Sequence, residues 1–155
     1  MIMIQRIQTV FLLLALICMG LLLFFPYGNI MTVNNEIVEF SVFGTEYQTE
    51  QQAKNYSALP VAIIVLLTCA VSFITILLYK KRMIQIRLSF FNLVIQLGSI
   101  ILMYYFIYSA NKLFGEDFSI NVLLIFPLIA MILTFLAIRN IAKDEALVRS
   151  LDRLR

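Results

Sequence analysis

The sequence has no histidine, no tryptophan and few charged residues. Charged residues make up 14% of its 155 positions, and hydrophobic residues make up 62%. Soluble domains average about 25% charged and about 45–50% apolar residues. Without histidine there is no imidazole to serve as a general base or a metal ligand near neutral pH. The composition therefore favours a single domain that spends most of its length in lipid.

The small net charge and the small number of cysteines each exclude a class of protein. The net charge is only +3, and the basic residues cluster beside apolar runs instead of forming a stripe on a soluble fold. We therefore expect no nucleic-acid partner. Cys18 and Cys69 each lie inside an apolar run, so neither belongs to a disulfide framework or a zinc site in a watery loop.

Four long stretches carry no charge. They lie between Arg6 and Glu36, Lys54 and Lys80, Arg87 and Lys112, and Asp117 and Arg139, and each holds at least 21 uncharged residues. About 20 helical residues cover the roughly 30 Å of hydrocarbon in a bilayer. The sequence predicts an all-α membrane protein, an up-down bundle of four transmembrane helices at about 7–27, 58–79, 88–111 and 119–138.

The first stretch is expected to remain in the protein and not to be removed as a signal peptide. It ends in the bulky residues Phe24, Phe25, Pro26 and Tyr27, where cleavage needs small ones.

The placement of the basic residues predicts the orientation. Ten of the twelve lie before the first helix, between the second and third, or after the fourth. Only Lys54 and Lys112 lie on the other side. Because Lys and Arg are enriched in cytoplasmic loops, both termini should be cytoplasmic.

The first outer loop, 28–57, contains an alternating pattern. Val38, Phe40 and Val42 alternate with polar residues, which is typical of a half-buried strand. Asn34 and Asn35 suit a tight turn, so 30–33 and 36–43 could form a small β-hairpin. An isolated hairpin is marginal in water and would need to lie on the helix ends or on a partner. An irregular acidic loop is the alternative.

The tail, 139–155, is predicted to continue as a cytoplasmic helix. Leu147, Val148, Leu151 and Leu154 fall on one stripe. The stripe could lie on the inner membrane face, pack in a dimer or dock to a soluble partner; a solvated extension is the plain alternative. The charged residues of the candidate interaction surface are Arg139, Lys143, Asp144, Glu145, Arg149, Asp152 and Arg153.

Two polar stripes interrupt the apolar helices. Asn92, Gln96 and Ser99 have helical spacing on the third helix, and Thr68, Ser72 and Thr75 repeat it on the second. An unpaired amide in hydrocarbon is costly, so the stripes should face each other or another protein. Helix packing is favoured over a substrate groove, and Thr134 of the fourth helix could join the cluster. Pro127 is expected to kink the fourth helix.

No pattern of residues in the sequence indicates a catalytic site. No ionisable residue lies in the middle of a predicted span, where proton paths and ion sites are usually marked. The outer acidic residues lack the spacing of calcium-binding loops. We therefore predict no catalytic residue, no cofactor and no metal site, and expect the protein not to be an enzyme.

The two ends of the chain resemble a known family. The opening Met3-Ile4-Gln5-Arg6-Ile7-Gln8-Thr9 and the closing segment 139–155, RNIAKDEALVRSLDRLR, are similar to an uncharacterised Bacteroidota membrane family, domain of unknown function 4293. The resemblance covers the whole chain. It implies a location in the bacterial inner membrane and no assigned activity, substrate or cofactor.

These observations lead to two functional hypotheses. The first is a non-enzymatic scaffold or accessory subunit of a membrane complex, with a protein partner or a second copy of the chain. The second is a small transporter or a lipid- or metabolite-binding bundle that uses the polar stripe of the third helix. In either case the basic inner face should attract anionic lipids.

Overall fold

We describe a computed structural model of the chain, which covers residues 2–31, 37–47, 58–79, 81–114 and 118–152. These residues form four α-helices, four short strands and one 3-10 turn. The helices are α1 (Ile2–Leu21), α2 (Leu59–Leu77), α3 (Arg82–Phe114) and α4 (Phe126–Asp152); the strands are β1 (Gly28–Met31), β2 (Ile37–Phe40), β3 (Thr45–Tyr47) and β4 (Phe118–Ile120); the turn is Val122–Ile125.

The four predicted helices are confirmed, and they pack as a closed ring. α2 packs on α1 and on α3, α3 packs on α4, and α4 returns to make its most extensive contact with α1. The sequence had left open which helices are diagonal. In the structure α1 lies opposite α3, and α2 lies opposite α4, because the main contacts follow chain order around the ring.

Helix four begins later than its charge-free stretch suggests. Residues 118–120 form strand β4, and a 3-10 turn precedes α4. Asn121 starts this turn by accepting a hydrogen bond from the Val122 N–H at 2.9 Å. Its amide also donates to the Pro26 carbonyl at 3.2 Å, which joins the start of the turn to the end of the α1 segment.

The prediction that Pro127 kinks the fourth helix is wrong. α4 begins at Phe126, so Pro127 lies in the first helical turn, where the missing N–H leaves no hydrogen bond unmade. The Leu123 carbonyl, which a kink would have freed, accepts from the Phe126 N–H. Pro60 occupies the same kind of position at the start of α2.

The predicted hairpin is present and belongs to a larger sheet. β1 and β2 pair antiparallel, from Gly28 opposite Phe40 to Met31 opposite Ile37. Their connection, with Asn34 and Asn35, lies outside the described residues. β3 and β4 extend the sheet to the order β3-β2-β1-β4. The β2–β3 turn is closed by mutual backbone hydrogen bonds between Ser41 and Gly44, and Gly44 has φ 152°, a conformation that favours glycine.

The sheet lies on one end of the helical bundle. Tyr27, Phe40 and Val42 are fully or almost fully buried, and they share a hydrophobic cluster with Val61 of α2 and Met103 of α3. This contact supplies the apolar surface that a small sheet needs for stability. It also seals the bundle at the end where α1 stops and α2 begins.

The bundle has an inverted distribution of polarity. Large apolar side chains such as Ile63, Phe90 and Ile101 are exposed on its outer surface, whereas polar ones such as Asn92 and Gln96 are buried inside. Water would not tolerate an apolar surface of this extent on a soluble monomer. Lipid accounts for it.

Three helical stretches are long and apolar enough to cross a membrane: Leu59–Leu77, Arg82–Ser109 and Val122–Val148. In α1 the apolar part, Ile7–Leu21, is shorter. The membrane character of the chain rests on these three helices together with the inverted polarity.

Candidate functional site

Each helix faces the centre of the bundle with a regular seam. The buried positions recur at alternating steps of three and four residues, which is the 3.5-residue period of helices wound around each other in a left-handed sense. On α1 the seam is Gln8, Leu12, Ala15, Met19 and Leu22; on α2 it is Val61, Val65, Thr68, Ser72 and Thr75; on α4 it is Ala130, Thr134, Ala137, Ile141 and Asp144.

On α3 the seam is polar over four helical turns. It consists of Gln85, Ser89, Asn92, Gln96 and Ser99, which we call the α3 polar seam, and Met103 continues it towards the sheet. All five side chains of the α3 polar seam are at most 3% exposed. The interior is therefore polar towards the α2–α3 turn and apolar towards the sheet.

Two hydrogen bonds join the α3 polar seam to its neighbours. The Asn92 amide donates to the Ser72 hydroxyl of α2 at 2.8 Å. The Gln96 amide donates to the Thr134 hydroxyl of α4 at 3.1 Å. The structure thus brings the two sequence-predicted stripes together through Ser72 and Asn92, and Thr134 joins them through Gln96, as the sequence suggested.

The other hydroxyls of the stripes are bonded within their own helices. Thr68 donates to the Ile64 carbonyl and Thr75 to the Val71 carbonyl, at 2.8 and 2.7 Å. Ser99 donates to the Gln96 carbonyl at 2.7 Å. Such bonds satisfy a hydroxyl in lipid without any contact between helices.

Several buried polar atoms have no protein partner. They are Asn92 Oδ1, Gln96 Oε1, Ser89 Oγ and Gln8 Nε2. The orientation of the Gln96 amide follows from chemistry, because Thr134 gives its only proton to the Ala130 carbonyl at 2.8 Å. Its oxygen can then only accept, so Gln96 presents its NH₂ group and leaves Oε1 unpaired.

An ion pair joins α3 to α4 at the polar end of the bundle. Arg82, at the start of α3, places a guanidinium nitrogen 3.2 Å from Asp144 Oδ2 on α4. The contact lacks hydrogen-bond alignment, so we regard it as electrostatic. Asp144 is only 7% exposed, so the ion pair is an internal contact between α3 and α4, which we call the clamp.

This clamp changes the predicted interaction surface of the tail. α4 continues through the tail to Asp152, and Ile141 and Asp144 face inward. The exposed residues on the opposite side of this part of α4 form a surface that we call the tail face. They are Arg139, Ala142, Lys143, Ala146 and Leu147. Glu145 is half-buried between the two sides. The side chains of Arg149 and Asp152, and the whole of Arg153, lie outside the described residues.

A shallow cleft adjoins the tail. It has a volume of about 440 Å³ and is lined by Lys81, Arg82, Met83, Ile84, Glu145 and Val148. Two cations and one carboxylate give its lining a small positive charge beside apolar side chains.

Sequence reasoning missed Gln85, Ser89, Gln8 and Asp144 as interior residues. Gln85 lies between Arg82 and Arg87, whose charges made this segment resemble a connection, whereas Ser89 lies at the start of the predicted span, two residues after Arg87. The seven-residue repeat was the available signal, because Gln85, Asn92 and Ser99 are each seven apart, as are Ser89, Gln96 and Met103. Extending the stripe back by that repeat would have found both residues.

The described residues contain no group of three or more His, Cys, Asp or Glu side chains that could hold a metal ion. Cys18 and Cys69 are free thiols, and both are half-buried in the helices.

Comparison with known proteins identifies the family. The family model described as Domain of unknown function (DUF4293) matches residues 4–154. A search of curated proteins found no match. The match covers nearly the whole chain, including all four helices and the sheet, so the chain belongs to this family.

Proposed function

We propose that this member of the DUF4293 family is a four-span protein of the bacterial inner membrane with both termini in the cytoplasm. α1 supplies the fourth span. Its apolar part, Ile7–Leu21, covers about 22 Å, and the uncharged sequence continues to Tyr27. α1 also packs along α4 more extensively than on any other helix. The sheet then lies outside, and the ion pair of Arg82 with Asp144 lies at the cytoplasmic end.

We further propose that the protein is a non-enzymatic scaffold or accessory subunit, which acts by binding another protein or a second copy of the chain at the tail face. One observation carries it: the tail is held to the bundle by Ile141 and Asp144 while Leu147 remains 57% exposed. α4 has 27 residues, a length of about 40 Å, so its last turns would extend beyond a hydrocarbon core of about 30 Å. A preformed surface loses little conformational freedom on binding, and Arg139 and Lys143 flank its apolar residues.

Site-specific photocross-linking from Leu147 tests this role in native membranes. A cross-linked species of defined mass is expected, and it should be lost in the variant Arg139→Glu with Lys143→Glu. Arg87→Glu is the matched control, because Arg87 is an exposed basic residue on α3, outside the tail face. The absence of any cross-link, together with a monodisperse monomer in lipid nanodiscs, would argue against a contact role.

A second candidate function is a small transporter or a lipid- or metabolite-binding bundle. The unpaired acceptors of Asn92 and Gln96 favour it, since buried polar atoms normally have a partner. Native mass spectrometry of the protein released from membranes tests it. A retained small molecule that is lost in Asn92→Leu with Gln96→Leu would support this function over the scaffold.

The cleft beside Lys81 and Arg82 supports the expected attraction of anionic lipids. Each basic residue near an anionic surface contributes about 1 kcal/mol. Enrichment of anionic over zwitterionic lipid in the co-purified fraction should therefore decrease when Lys81 is replaced by Gln.

A further inference from the structure

We propose that the polar half of the bundle interior binds ordered water, held between Asn92 Oδ1 and Gln96 Oε1 and continuing to Ser89. This site is independent of any partner at the tail face. It consists of side chains that are at most 1% exposed and that carry unpaired polar atoms.

Asn92 and Gln96 lie one helical turn apart on the same seam, within the reach of one bridging water. Residues four apart on a helix have Cβ atoms about 5–6 Å apart. A water that donates to two oxygens at about 2.8 Å each spans a similar distance. One N–H of each amide donates to Ser72 or Thr134, and the two oxygens have no donor among the described residues.

The facing helix presents a small side chain at this level. The hydrogen bond from Gln96 places Thr134 of α4 beside it. The next seam position of α4 towards the cytoplasmic end is Ala137, which is fully buried and contributes only a methyl group. A buried water needs a polar site with two to four partners and space for one molecule.

The chemistry of the unpaired atoms favours water over a cation. A cation would satisfy the oxygens of Asn92 and Gln96, but Gln8 Nε2 is an unpaired donor in the same interior. The nearest carboxylate of the seam, Asp144, is already paired with Arg82, and a desolvated cation without a counter-charge is very costly. Water both donates and accepts and carries no charge.

The seam also sets the limit of the hydrated region. Beyond Ser99 the interior changes to Met103, Val65 and Val61, all at most 1% exposed. These side chains offer no partner to water. The hydrated column therefore begins near the ion pair of Arg82 with Asp144 and ends within the bundle, without reaching the sheet.

Water-edited solid-state NMR of the ¹⁵N-labelled full-length protein in lipid bilayers tests the proposal. Magnetisation from water should reach the side-chain amides of Asn92 and Gln96 several-fold faster than the backbone amides of Val65 and Met103. The variant Asn92→Leu with Gln96→Leu identifies these signals and should slow the transfer to the Ser89 amide. Phe91→Ala is the control, because Phe91 is 56% exposed on the outer surface of α3, and it should leave the transfer unchanged.

Two results would overturn the proposal. The first is transfer to Asn92 and Gln96 that is as slow as transfer to Met103, which means a dry interior. The second is a change in the side-chain shifts of Asn92 and Gln96 when sodium is exchanged for potassium or a large organic cation, which assigns the site to a cation. Both can be measured on the unaltered protein once the two side-chain amides are assigned through correlation with their own backbone signals, so neither depends on whether the double variant folds.

Discussion

At the scale of single residues, the buried amides hold the bundle together through few but specific contacts. Asn92 has one bonded atom and one unbonded atom, so its contribution is smaller than its burial suggests. Hydrogen bonds between membrane helices average only about 0.6 kcal/mol, because the unfolded chain in lipid also finds partners. The register of α2 against α3 is what the bond to Ser72 fixes.

A double-mutant cycle should measure that bond. Asn92→Ala and Ser72→Ala, alone and combined, are expected to give a coupling free energy of about 0.6 kcal/mol in reversible unfolding from mixed micelles. Phe91→Ala with Ser72→Ala is the control, since Phe91 is 56% exposed on the outer surface, and its coupling should be near zero. Equal coupling in the two cycles would show that Asn92 and Ser72 do not interact.

At the scale of secondary-structure elements, α4 depends on where its proline lies. Because Pro127 is in the first turn, Pro127→Ala should lower the free energy of unfolding by no more than about 1 kcal/mol. Ala130→Pro, only three residues further, removes an internal hydrogen bond and should cost about 3 kcal/mol or more. Thermal unfolding of both variants in detergent provides the comparison. Similar losses in the two would place Pro127 inside the helix.

The ion pair between Arg82 of α3 and Asp144 of α4 should contribute to the stability of the bundle. Arg82→Gln leaves the buried Asp144 carboxylate without its cation and should lower the free energy of unfolding by about 1–2 kcal/mol, between the values for exposed and buried pairs. Adding Asp144→Asn removes the unpaired charge and should recover part of that loss. If the double variant is less stable than Arg82→Gln, the pair is not an electrostatic clamp.

The helices could be predicted from the sequence because charge-free length is a local signal. The hairpin of β1 and β2 was also visible, in the alternation of Val38, Phe40 and Val42. Strand β4 was not, because three residues, Phe118–Ile120, pair with a strand about ninety positions earlier and no local pattern encodes that contact. The late start of α4 follows from the same pairing.

The candidate site was predictable only in part, for a similar reason. The stripes of α2 and α3 have helical spacing, but spacing does not tell which helix a side chain faces. Thr134 and Asp144 enter the interior because α4 closes the ring against α3 and α1. Asp144 was taken for part of the tail surface, since its neighbours Lys143 and Glu145 are charged and only the packed helix determines which of the three turns inward.

At the scale of the whole molecule, the proposed topology has lipid around the bundle and places the tail face and the sheet on opposite sides of the membrane. The distribution of basic residues, the apolar outer surface and the position of the sheet all agree with this arrangement. Both functional hypotheses and the hydrated interior require it, because they place the tail face and the polar end of the bundle in the cytoplasm.

The most direct test is cysteine labelling with a membrane-impermeant maleimide in intact spheroplasts. Phe43→Cys, at the exposed β2–β3 turn, and Leu147→Cys, on the tail face, are each introduced into a Cys18→Ala, Cys69→Ala background. We expect the position 43 variant to be labelled at once and the position 147 variant only after permeabilisation. Labelling of position 147 from outside intact spheroplasts, or of both positions equally, would contradict the account.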